Sequence, residues 1–161
     1  MSLSASVLIG LGVLGLVSLA VFEVVQVYSE GGLRLFFWPK LSHGYEVTPV
    51  TRLAVAPWVL LLFLFAGNGV VIALFGHDIL GSDGGDYQPW LIAALLPLAM
   101  IHLIDYRRSV TAAVAGLVLL AAGSVYTMHR LEAWSWLPLV ALFLLWSLNG
   151  VRAVQADRSM G

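Results

Sequence analysis

The sequence contains no cysteine, which removes disulfides, thiolate metal sites and thiol redox chemistry from consideration. It is also poor in charge: Asp, Glu, Lys and Arg make up 11% of its 161 residues, against about 25% in a typical soluble domain. So few charges cannot cover a water-facing surface. With 60% of the residues hydrophobic and a mean hydropathy of +0.94, lipid must be the solvent for much of the chain. A net charge of −1 with no basic stripe gives nucleic acid no purchase. Walker A, GxSxG, HExxH and paired-aspartate phosphotransferase signatures are all missing. There is no internal repeat either, which argues against a duplicated, inverted-repeat transporter.

What is present is a series of long apolar runs. A membrane-spanning helix needs about 20 apolar residues at about 1.5 Å of rise each. Five stretches are candidates, at about 5–28, 50–75, 89–104, 110–128 and 134–154, the third of them short and with Pro97 inside it. They predict an all-α integral membrane protein, a single membrane domain over residues 1–161 with five helices in an antiparallel bundle. The start, MSLSAS, has no basic residue, and the first run exceeds a signal-peptide core, so it is expected to stay as a helix. Spans three, four and five are joined by only a few residues and should pack as neighbours.

Five spans place Arg34, Lys40, Arg52, Arg107, Arg108, Arg152 and Arg158 on one side and Arg130 alone on the other. The positive-inside rule then puts the N-terminus outside and the C-terminus in the cytoplasm, as expected of a protein in a prokaryotic plasma membrane. Tyr87, Trp90, Tyr126, Trp134 and Trp136 would form an outer aromatic belt, with Trp38 and Tyr106 at the inner surface. The apolar segment Gly31 to Leu41 is too short to span and carries Arg34 and Lys40 at its edges. It is read as an interfacial segment on the inner leaflet, as a loop folded on the helix ends, or as a lid formed by Phe36, Phe37 and Trp38.

Ionisable groups at membrane depth are costly and attract functional hypotheses. Glu23 and Gln26 in span one, His102 and Asp105 in span three, and Asn149 and Arg152 in span five share an i,i+3 spacing and a similar inner depth. As a functional cluster they would bind a polar headgroup or ligand or relay protons, with Glu23 and His102 as the titratable pair. As a structural cluster they would fix helix packing through interhelical bonds of roughly 0.6 kcal/mol each. Asn68, between Gly67 and Gly69, and the small residues of span four, among them Ala112, Ala113, Gly116, Ala122 and Gly123, read as close-packing surfaces. Gly12 and Gly15 would do the same in span one. Pro57, Pro97 and Pro138 are candidate kinks. The outer loop with His77, Asp78, Asp83 and Asp86 matches no metal motif and reads as a solvated turn.

The length, five helices, long first loop and many tryptophans resemble the tryptophan-rich sensory or translocator family. The stretch Trp136-Leu-Pro138 through Trp146-Ser-Leu-Asn149 is similar to that family's last helix. The segment from Pro49 to Leu62 lacks the family's Trp-x-x-Leu-Tyr motif. The resemblance implies a tetrapyrrole or sterol-type ligand beneath the first loop. Two functions follow as expectations. One is a non-catalytic accessory or scaffold subunit, with the bilayer, other membrane subunits or a second copy as partners. The other is a membrane module binding a tetrapyrrole, sterol or lipid. A proton-coupled transporter or intramembrane enzyme has the least support.

Overall fold

The structure is a computed structural model that describes residues 25–30, 32–41, 47–76, 85–132 and 134–160. Every element among the described residues is helical. Residues 25–30 form α1, followed by a single turn, α2 (Arg34–Phe37), and then α3 (Val47–Phe75). The third span is broken into α4 (Gln88–Ala93), α5 (Leu95–Ile101) and a π-helical turn (His102–Tyr106). After α6 (Val110–Leu131) a 3-10 turn (Trp134–Trp136) leads into α7 (Leu137–Met160).

Four helical stretches among the described residues are long and apolar enough to cross a membrane: Val47–Phe75, Gln88–Tyr106, Val110–Arg130 and Trp134–Ser159. They coincide closely with the second to fifth apolar runs of the sequence. Most of the first run, including Glu23, Gly12 and Gly15, lies outside the described residues, as do His77, Asp78 and Asp83.

The three prolines act differently. Pro97 lacks the N–H that would bond to the Ala93 carbonyl, and the third span is interrupted there, at Ala94 between α4 and α5. Pro57 stays inside an unbroken α3. Pro138 sits in the first turn of α7, where the missing N–H has no intrahelical partner to lose. Ser109 caps α6 by accepting a bond from the Ala112 N–H at 3.2 Å. Glu132, with φ 52°, ends it in the left-handed conformation.

Helix α3 is central, packed on α7 along one side and on the third span along another. The third span touches α6, and α6 touches α7, so the shortly connected spans are neighbours. Small residues set these crossings. A Cβ added at Gly150 of α7 would clash with the Cβ of Ala54 in α3. One added at Gly69 would lie 2.8 Å from Leu91 Cδ2 and 3.3 Å from Trp90 Cβ. At Gly116 of α6 it would come within 3.3 Å of the Trp58 ring. Asn68 is buried beside Gly69, as its small-polar-small setting suggests. The small face of α6 is used only in part: Ala112 and Ala113 are buried, whereas Ala122 and Gly123 are exposed.

The core has two parts. Val27, Leu35, Phe36, Val47, Val50, Leu53, Trp146 and Ala153 pack the first loop onto α3 and α7. Val55, Trp58, Met100, Ile104, Ala112, Ala113 and Val151 join α3 to the third span, α6 and α7.

Candidate functional site

The polar groups of α7 converge on the first loop. The Trp146 Nε1–H donates to the Phe36 carbonyl at 3.0 Å, and Asn149 Nδ2 donates to the Phe37 carbonyl at 2.9 Å. Arg152 Nη1 donates to Asn149 Oδ1 at 2.8 Å, and its Nη2 reaches the Pro39 carbonyl at 3.3 Å. The Arg152 guanidinium also lies over the Trp38 ring, 4.0 Å from its centroid. Residues 146, 149 and 152 follow one another at three-residue steps, so each reaches the loop from the next turn of helix. The three carbonyls belong to residues 36, 37 and 39, at and after the end of α2, where backbone acceptors have no helical continuation. The arrangement is a latch: successive donors on one helix satisfy successive carbonyls of a loop. Asn149 is only 1% exposed, so its amide would be an uncompensated polar group if the loop left.

Aromatic packing backs the polar contacts. Phe36 and Phe143 lie 6.2 and 5.8 Å from the Trp146 ring, centroid to centroid. Phe37 and Trp38, by contrast, are exposed.

A second polar group ties α3 to the end of the third span. Thr51, fully buried, donates to the Thr48 carbonyl at 2.9 Å, lies 3.4 Å from Asp105 Oδ1 and accepts from Arg108 Nη1. Arg108 pairs with Asp105 at 3.8 Å and has φ 49°. The left-handed turn at Arg108 brings its side chain back onto α3. Near the start of the described chain, Gln26 Nε2 donates to Glu30 Oε1 at 3.3 Å, and Glu30 lies 3.9 Å from Arg52.

The six residues singled out in the sequence therefore fall into separate settings. Asn149 and Arg152 bond to each other and to the loop. Asp105 joins Thr51 and Arg108. His102 is exposed and stacks on Tyr106 at 5.2 Å. Gln26 pairs within its own helix, and Glu23 lies outside the described residues. The π turn explains why His102 and Asp105 part company: its wider winding breaks the shared face that an i,i+3 pair has on an α-helix. Trp146, Thr51 and Arg108 were not singled out as site residues. The three-residue step from Trp146 through Asn149 to Arg152 was the available signal for the first, and nothing local marked the other two.

Beside the latch runs an apolar groove of about 360 Å³. Val25 and Tyr28 of α1 form one wall, and Leu33, Phe36 and Phe37 of the loop form another. Leu142 and Trp146 of α7 complete it, and its lining presents no polar surface. A separate gap beside Ser147, bounded by Ala54, Trp58 and Ala113, has no room for a water molecule. The Ser147 hydroxyl is buried there without a hydrogen-bond partner among the described residues.

No family model, curated protein or solved structure matches the chain. The likeness to the translocator family thus rests on the residues quoted above alone.

Proposed function

We propose that the protein is a non-catalytic accessory or scaffold subunit of a larger membrane complex, with five spans in a prokaryotic plasma membrane. One observation carries the reading. Trp146, Asn149 and Arg152 direct their polar groups to the carbonyls of the first loop, so these membrane-depth side chains do structural work. The helix surfaces support it. In three of the four candidate spans only 22% of the most apolar stretch is buried within the chain, leaving most of each helix to lipid or neighbouring subunits.

The cations support an orientation with the C-terminus in the cytoplasm. Contacts of Arg52 with Glu30, of Arg108 with Thr51, and of Arg152 with Pro39 gather the basic residues toward one end of the bundle. The positive-inside rule favours that end as the cytoplasmic face. The lack of native cysteine makes this simple to check. In intact cells a membrane-impermeant maleimide should label Glu132→Cys and leave Arg107→Cys unlabelled until the membrane is opened. The reverse pattern would invert the topology.

Native gel electrophoresis after mild solubilisation tests the subunit reading. The chain should migrate in an assembly well above its own 17.4 kDa, and that assembly should break down in harsh detergent. A lone monomer under every condition would count against it.

A further inference from the structure

We propose that the groove between α1, the first loop and α7 holds one acyl chain of an anionic phospholipid, whose headgroup meets Lys40 and Arg34. The site requires only that the helices lie in a bilayer, so it stands or falls separately from the subunit reading.

The groove has the polarity profile of such a lipid. Its lining is aliphatic and aromatic, and its volume of about 360 Å³ falls within the range of about 300–1,000 Å³ common for small-molecule sites. Leu142 lies four residues, or about 6 Å of helix, from Trp146 on the side of α7 away from Asn149 and Arg152. Phe36 and Phe37 lie toward the interface, in the loop latched to Asn149 and Arg152. The groove therefore extends along α7, the direction an acyl chain would take beside a membrane-spanning helix. Cations flank the loop wall in sequence: Arg34 follows the lining residue Leu33, Lys40 comes three residues after Phe37, and both are exposed. Tyr28 is 55% exposed, placing a phenol where headgroup and acyl region meet. Water would fill so apolar a groove poorly, whereas a chain from the surrounding bilayer exchanges one apolar environment for another. The latch gives the groove a fixed wall, because the loop carbonyls are held by three α7 side chains.

Delipidated full-length protein, incubated with phosphatidylglycerol or phosphatidylcholine of identical chains in mixed micelles, provides the test by native mass spectrometry. One phosphatidylglycerol should be retained per chain, preferred more than tenfold over phosphatidylcholine. Leu142→Trp, which fills the groove, should reduce retention of both lipids at least tenfold. Lys40→Gln, on an exposed side chain, should keep the chain site but lower the preference about fivefold, as expected for one cation near a headgroup. It keeps the test decisive even if Leu142→Trp does not fold. Equal retention of the two lipids by the wild type would overturn the proposal. So would retention indifferent to both substitutions, or displacement of the phospholipid by an equimolar neutral sterol.

Discussion

Gly150→Leu is expected to lower the stability of the fold by about 3 kcal/mol, at the upper end of the usual range for overpacking. The reason is geometric. A Cβ at position 150 would overlap the van der Waals sphere of the Ala54 Cβ, which is fixed to the α3 backbone and cannot rotate away. The two helices would have to separate, loosening the crossing that joins both parts of the core. Close approach matters more here than in water, because dispersion contacts replace the hydrophobic drive between membrane helices. Gly150→Ala should be milder, since alanine returns about 1 kcal/mol of helix propensity against the clash. Adding Ala54→Gly to it exchanges the two side chains across the crossing and should restore near-native behaviour. Thermal unfolding in detergent, followed by circular dichroism, would decide. A Gly150→Leu protein as stable as the wild type, or a double variant no better than Gly150→Ala, would show that this crossing is not tight.

Trp146→Ala should be the most damaging change in the latch, costing about 3–5 kcal/mol as for other buried large aromatics. Packing dominates that figure. Trp146→Phe keeps ring contact with Phe36 and Phe143 and loses only the indole bond to the Phe36 carbonyl. Its expected cost is therefore nearer 1 kcal/mol. Asn149→Leu falls between the two, since it strips the Phe37 carbonyl of its donor and Arg152 of an acceptor. Local opening should accompany the global loss. Trypsin should cut after Lys40 sooner in Trp146→Ala than in Trp146→Phe, with the wild type slowest. Equal cutting rates in all three would mean that α7 does not hold the loop.

Helix placement was largely legible in the sequence because length and apolarity are enough to mark a span. The second, fourth and fifth runs correspond closely to α3, α6 and α7. The third runs past Ile104 to Tyr106, because its last residues wind as a π turn that hydropathy does not register. Level along a helix was legible for neighbouring polar residues such as Asn149 and Arg152, but azimuth was not. Which way Asn149 faces depends on the rotation of α7, set by its contact with Ala54, nearly a hundred residues away in sequence. Spacing still paired Asn149 with Arg152, since both lie on one continuous α-helix. It did not keep His102 with Asp105, which the π turn separates. The loop was legible as apolar and edged by cations. Its role as the recipient of the α7 donors was not, because backbone carbonyls carry no sequence signature.

The subunit reading is tested most directly by identifying what the full chain carries out of the membrane. After purification in mild detergent, quantitative mass spectrometry should find one or more other protein chains at a fixed ratio. Those chains should be lost when harsh detergent strips the apolar faces of α3, α5 and α6. A stable, isolated chain carrying a pigment or other soluble small molecule at unit stoichiometry, with no companion protein, would contradict it.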